Sequence, residues 1–287
     1  MPKELIVKGN GLINASYNLS LAEQRIVLMA IVISRYNGKG INANDYLDIS
    51  ASDYSKNFKV DNSASYRALI EASKNLFERK FTITEQTPKG ENKILSRWVS
   101  AIKYIPSCGT LQIIFAPPVI PFINDLEKKF TKFFLEDVAD LQSKYALRLY
   151  EILMSWSSTK KTPPIAIEKL RSLLGVEKNE YPAMNNFKRR VLDLAVGQIN
   201  EKTNIFVTYE QHKKGRSIDS ISFSYVEISQ GKDRDPNTVD WVDEQPKQKR
   251  KTISEYEASQ MTNPGEEWPE LLKRIGSKYH VIFDKNE

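Results

Sequence analysis

One cysteine, Cys108, and two histidines, His212 and His280, are all that the sequence holds of those two residue types. A single cysteine excludes an intrachain disulfide and a cysteine-based zinc site, and it suits a reducing compartment. The histidines are far apart at no metal-ligand spacing. A nicking enzyme that holds its metal with a close histidine pair is therefore disfavoured. No G-x-x-x-x-G-K-[ST] loop occurs, and Gly9-Asn10-Gly11 lacks the third glycine and the long preceding strand of a dinucleotide site. Acidic residues show no paired-carboxylate pattern. The longest apolar run, residues 26–33, is far short of the ~20 residues of a membrane helix. The N-terminus has no signal-peptide core. The expectation is a soluble cytoplasmic protein with no metal, no cofactor, no membrane contact and no catalytic activity.

Lysine and arginine number 42 against 36 acidic residues, for a net charge of +6 and an isoelectric point near 9.1. That balance is compatible with an anionic partner but does not prove one. The length of 287 residues suggests about two domains.

The sequence repeats itself. LFERKFTITEQTPKG begins at Leu76, and INEKTNIFVTYEQHKKG begins at Ile199. Each copy carries the end of an apolar helix, a charged step, a β-rich run and then Glu-Gln-x-x-Lys-Gly, at Glu85–Gly90 and again at Glu210–Gly215. Self-similarity at domain spacing marks a duplication. A helix followed by a hairpin with a basic glycine tip describes the recognition helix and wing of a winged-helix DNA binder. The fold class expected is α+β, with two tandem duplicated winged-helix domains at residues 1–118 and 119–228. A flexible charged tail would follow at 229–287.

In the first copy Ser20 and Glu23 form a capping box and start a helix that runs to about Arg35. Asn37-Gly38-Lys39-Gly40 breaks it. Leu47 and Ile49 make a short strand, residues 50–58 a second helix, and residues 62–78 a third. The wing pairs residues 81–85 with 94–105 around Lys89-Gly90. Leu111, Ile113 and Phe115 alternate as one more strand. A helical bridge at 120–130 leads into an amphipathic helix at 143–156, with Tyr145, Leu149, Ile152 and Trp156 on one stripe. Residues 162–165 form a strand edge, 167–174 a helix ended by Gly175, and 183–200 the long third helix. The strands around Val207 and Phe223 flank the tip His212-Lys213-Lys214-Gly215-Arg216. The tail regains helical pattern at 253–282, too short for a core of its own.

A recognition helix buries one face and offers the other to the major groove. At about 100° per residue, Val191, Leu194, Ala195 and Gln198 fall on the side of Phe187. Arg189 lies opposite, flanked by Asn185, Asn186 and Arg190. Arginine reads guanine and asparagine reads adenine through paired hydrogen bonds. Lys188 at the flank suits a phosphate. Asp193 faces out and would mark the end of the reading surface. Residues 185–216 hold seven basic side chains against three acidic ones, so much of the excess charge lies here, and the tip residues Lys213, Lys214 and Arg216 can follow the backbone. In the first copy, with Leu69 buried, Arg67 and Lys74 face out beside Glu71 and Glu78. Two carboxylates oppose close approach to phosphate. Together with Lys89 and Lys93, Arg67 and Lys74 would make the weaker, auxiliary DNA contact, and this domain a self-association surface.

The chain opens with Val7-Lys8-Gly9-Asn10-Gly11-Leu12-Ile13-Asn14-Ala15-Ser16-Tyr17-Asn18-Leu19-Ser20 and Glu23-Gln24-Arg25, and Phe115-Ala116-Pro117 leads into Pro121-Phe122. Tyr145-Ala146-Leu147-Arg148-Leu149-Tyr150-Glu151, Phe187-Lys188-Arg189-Arg190-Val191, Ile199-Asn200 and Lys213-Lys214-Gly215-Arg216 follow. Together these motifs resemble the replication initiators of iteron-containing, theta-replicating plasmids, with Tyr145–Glu151 the strongest part. The resemblance spans residues 5–228 and looks closest to initiators from Acinetobacter-like bacteria. What it implies is a protein that binds double-stranded origin DNA. Monomers would bind iteron direct repeats and promote melting of an adjacent A·T-rich segment. Dimers would bind an operator and repress the initiator's own gene, and a host initiator and helicase would be recruited. A winged-helix repressor without a replication role fits the residues alone equally well.

Overall fold

The computed structural model describes residues 4–36, 41–88, 90–123, 130–228, 251–263, 268–275 and 279–282. Residues 1–230 form one compact unit and residues 231–287 a second. Lys89, the break at 37–40 and the linker at 229–250 lie outside the described residues.

The first unit begins with β1 (Leu5–Gly9) and a single helical turn, α1 (Asn10–Ile13). Helix α2 (Leu21–Tyr36) starts at the expected capping box: the Glu23 amide donates to Ser20 Oγ at 3.2 Å, and the Ser20 amide to Glu23 Oε2 at 2.7 Å. Strand β2 (Leu47–Ser50), helix α3 (Ala51–Phe58) and helix α4 (Asn62–Glu78) follow as the sequence predicts. The hairpin β3 (Lys80–Thr87) and β4 (Gly90–Arg97) is a separate two-stranded sheet. The return run does not continue to residue 105 as one strand. It breaks at Trp98, fully buried against the Tyr17 ring 4.9 Å away. The chain then enters a second sheet as β5 (Val99–Ile105) and β6 (Thr110–Phe115), in the order β2-β6-β5. Burial of one bulky side chain inward ends the wing and redirects the backbone.

Of the expected helical bridge at 120–130, residues 124–129 lie outside the described residues. Among those described, Ile120–Phe122 form a 3-10 turn, and β7 (Phe130–Phe134) pairs antiparallel with β1, Leu5 opposite Phe134. Aromatic and β-branched residues (Phe130, Thr131, Phe133, Phe134) favour a strand once a partner edge is available. That edge comes from the chain's start, which local periodicity does not reveal.

Helix α5 (Lys144–Met154) is capped by Ser143 and buried on all sides from Tyr145 to Met154. It is a central helix and not the half-exposed one expected, because its two buried charged residues, Arg148 and Glu151, have buried partners. Lys8 Nζ lies 2.5 Å from Glu151 Oε1, and Arg148 donates to Glu151 Oε2 at 2.9 Å and to Tyr17 Oη at 2.6 Å. Arg148 also donates to the carbonyls of Ile13, Ala15 and Leu173. Arg25, buried in α2, likewise caps the carbonyls of Ala139 and Leu141 at 3.2 and 3.0 Å.

After β8 (Ile165–Ala166) and α6 (Ile167–Leu173) comes a left-handed Gly175, φ +70°, with Tyr17 O only 2.5 Å from where a Cβ would stand. The third helix is α7 (Met184–Phe187), a π-helical turn (Lys188–Leu192) and α8 (Asp193–Lys202). Strands β9 (Ile205–Lys214) and β10 (Ser217–Glu227) close the sheet β8-β10-β9. One continuous apolar core runs from Ile6 to Tyr225.

In the second unit the helical pattern expected at 253–282 is interrupted. Strands β11 (Lys251–Ser254) and β12 (Tyr279–Ile282) pair in parallel, with α9 (Glu255–Ser259) and α10 (Trp268–Ile275) between them. Ala258, Leu271 and Ile275 are its buried apolar cluster among the described residues.

Candidate nucleic-acid interface

The long third helix and the β9–β10 hairpin form one rigid corner. Asn200, near the helix end, holds Val207 on β9 by both backbone groups: its Nδ2 donates to Val207 O at 3.0 Å, and its Oδ1 accepts from Val207 N at 2.6 Å. Tyr209 Oη donates to Asp193 Oδ1 at 2.6 Å. Burial and then this carboxylate push the Tyr209 phenol up from its ordinary pKa, so it stays a donor. His212 Nε2 and Ser222 Oγ are 2.7 Å apart across the hairpin. At the helix start, Arg171 stacks its guanidinium 4.9 Å from the Phe187 ring centre and donates to the carbonyls of Glu180 and Tyr181. Those contacts hold the approach loop, where Tyr181 takes a left-handed φ of +48°.

The helix buries Phe187, Val191, Leu192, Ala195 and Ile199. Val191 and Ala195 lie on the expected side. Leu194 and Gln198 do not: Leu194 is 42% exposed, and Gln198 reaches across to accept from the Gln142 amide at 3.0 Å. The π-turn is the reason. It puts an extra residue into one turn, so positions beyond it lag behind a regular helix, and Leu192 and Ile199 take the inward places. Sequence periodicity alone carries no mark of such a turn.

Asn185, Arg189 and Arg190 are exposed, and Asn186 and Lys188 half-buried. The π-turn holds more than four residues per turn, so residues four apart across it stay near one face, and Asn185, Arg189 and Asp193, all exposed, form one row. Asn186, Arg190 and Leu194 form the neighbouring row. The Asn185 side chain accepts from the Asn186 amide at 2.8 Å. Lys213, Lys214 and Arg216 are exposed at the hairpin tip, where Lys214 pairs with Ser217 and Gly215, φ +65°, opens a two-residue loop. Positive φ at the first loop position is what glycine supplies there.

The first copy's hairpin is built differently around the same motif. Thr87 pairs with Gly90, so that glycine opens the return strand and does not open the loop. Arg67, Glu71, Lys74 and Glu78 are all exposed on α4. Glu78 engages Arg97 at 2.9 Å, and Lys93 lies 3.6 Å from Glu91. Each of these pairs reduces the charge available to a phosphate. Arg67 and Lys74 lie on α4 of the first copy, the first lobe, and the Arg189 row lies on the third helix of the second copy, the second lobe.

No group of three or more His, Cys, Asp and Glu side chains among the described residues is placed to hold a metal ion. No described helix is long and apolar enough to cross a membrane.

The family model described as Initiator Replication protein, WH1 matches residues 5–154, and that of Initiator Rep protein, WH2 matches residues 166–225. A replication initiation protein of Escherichia coli is 24% identical over 238 residues, which is 81% of this chain and 72% of that protein. The PI protein of Escherichia coli is 28% identical over 211 residues, 62% of this chain and 68% of that one. The crystal structure of Pi initiator protein in complex with iteron DNA aligns with a TM-score of 0.65 at 26% identity, covering 80% of this chain and 99% of that one.

Proposed function

Because the chain belongs to the initiator replication protein family, with both winged-helix domains matched, we propose that it binds the direct repeats of its own replication origin as a monomer and starts replication there. The observation that carries this reading is the rigid corner of the second lobe. Asn185, Asn186, Arg189 and Arg190 on the helix and Lys213, Lys214 and Arg216 on the hairpin are set in fixed relation by Asn200 and Tyr209. The helix supplies donors and acceptors for base edges, and the tip supplies charge for phosphates. The Pi protein, which shares the fold, is seen bound to iteron DNA, and the reading extends that mode to this chain.

The domain carrying the reading corner would span residues 119–228. The domain at 1–118 would add backbone contacts through Arg67, Lys74, Lys89 and Lys93 and provide a self-association surface. On this reading, bound monomers promote melting of adjacent A·T-rich DNA, dimers repress the chain's own gene at an operator, and a host initiator and helicase join the complex. The chain acts by binding, without covalent chemistry, in the cytoplasm. Kinship to initiators of Acinetobacter-like bacteria is part of the same reading.

The test is a gel-shift titration on two probes. One carries tandem direct repeats from the replicon that encodes the chain, and the other the inverted repeat upstream of its gene. A ladder with one step per direct repeat supports the initiator. A single dimer-sized shift on the inverted repeat, with no shift on the direct repeats, overturns it in favour of a repressor.

A further inference from the structure

The π-turn leaves one feature of the third helix that the DNA-binding reading does not use. Leu194 is a large apolar side chain, 42% exposed, in the same row as Asn186 and Arg190. An exposed leucine is ordinary on a protein surface, but its surroundings here are specific. Asp193 beside it is held by the Tyr209 hydroxyl on β9, so its carboxylate is turned toward the hairpin. Three residues on, a Cβ at Gly197 would meet nothing within 4 Å, so open space lies beyond the leucine. Gln198, the next residue of the row, is engaged with the Gln142 amide. Leu194 is thus the last side chain of the Asn186–Arg190 row that faces solvent with nothing to donate or accept.

We propose that Leu194 is a specificity-determining residue that packs against the methyl group of a thymine in the major groove. The inference rests on the DNA-binding reading given above. A leucine has no hydrogen-bond partner to offer a phosphate, a guanine or an adenine. The one apolar group that a base edge presents in the major groove is the thymine C5 methyl. Asn186 and Arg190 read by hydrogen bonds, and Leu194 adds a contact of a different kind one turn further along.

The test is a cycle between protein and base. A duplex carrying one direct repeat from the origin has each thymine replaced in turn by uracil, which removes only the methyl. Wild-type chain and Leu194→Ala are titrated by fluorescence anisotropy, with thermal unfolding as a check that the variant is folded. At one position the uracil duplex should bind wild-type chain about fourfold more weakly, the effect of one buried methyl-sized group. Leu194→Ala should be insensitive at that position, and weaker than wild type on the thymine duplex. Identical uracil profiles for the two proteins, or undiminished affinity of Leu194→Ala, would overturn the proposal while leaving the DNA-binding reading standing; undiminished affinity would instead suit a protein partner for this leucine. Failure of wild-type chain to bind the repeat at all would remove both.

Discussion

Lys8 and Glu151, 143 positions apart in sequence, meet in the protein interior with Nζ 2.5 Å from Oε1. Arg148 completes the group, and all three side chains are almost fully buried. Two cations share one carboxylate, and the excess positive charge is spread over Tyr17 and three backbone carbonyls. Removing one partner of a buried pair leaves an uncompensated charge. Glu151→Gln should therefore destabilise the chain by about 3–5 kcal/mol, measured by urea denaturation. A loss below ~1 kcal/mol would show that water reaches the group.

The same triad sets a pH dependence. Burial alone would raise the Glu151 carboxyl, but Lys8 and Arg148 outweigh it and hold the pKa below the usual carboxylate value. A depressed carboxylate contributes stability that is present above its unfolded pKa and lost as pH falls through the folded one. The stability advantage of wild type over Glu151→Gln should accordingly be full at pH 7 and shrink below about pH 4. An advantage that stays constant down to acid unfolding would contradict the assignment.

Gly175 ends α6 in a conformation that L-residues avoid, with Tyr17 O directly against it. Gly175→Ala combines backbone strain with a clash against an atom that cannot swing away. A cost of about 2 kcal/mol or more is expected, readable as a lowered denaturation midpoint. Gly197→Ala is the control: that site is helical and open, and alanine there should add about 1 kcal/mol.

Asn200 is a positioning residue for the reading corner. Asn200→Ala leaves the amide and carbonyl of buried Val207 without partners, at a cost of about 2–3 kcal/mol. With the hairpin released from the helix, affinity for origin repeats should fall further than stability loss explains. Equal affinity of the folded variant would show that helix and hairpin need no common anchor.

Two substitutions separate reading from steering. Arg189→Ala should cost about 1–3 kcal/mol on the specific repeat and relax preference at one base. An equal loss on scrambled DNA would remove Arg189 from base reading. Lys214→Ala should weaken specific and scrambled duplexes alike and reduce the salt slope by about one. An unchanged slope would place Lys214 off the phosphate path.

Helix starts and ends were legible because they are local. Ser20 with Glu23, Ser50 before α3 and Gly175 after α6 act within a few residues of themselves. The winged-helix class was legible from the repeated helix-hairpin unit. The β1–β7 pair was not, since Leu5 and Phe134 lie far apart in sequence and local pattern cannot pair them. Nor was the full burial of α5, because the partners that neutralise Arg148 and Glu151 come from residues 8–17. Within the candidate interface, the outward places of Asn185, Arg189 and Arg190 followed from periodicity. Leu194 and Gln198, beyond the π-turn, did not.

The guanidinium of Arg148, whose carbonyl partners include Ile13 and Ala15 from the chain's first residues and Leu173 from the second lobe, bears on heredity as well as on folding. A chain severed between residues 118 and 119 would strip β7 of its neighbouring strand and leave a buried cation facing a void. Recombination between related replicons that exchanged only the DNA-reading lobe would face the same difficulty. A viable hybrid must bring the segment from Leu5 to Tyr17 along with α5. The two ends of this stretch of gene are therefore expected to be inherited as a matched set, even though the two duplicated lobes look like separable parts.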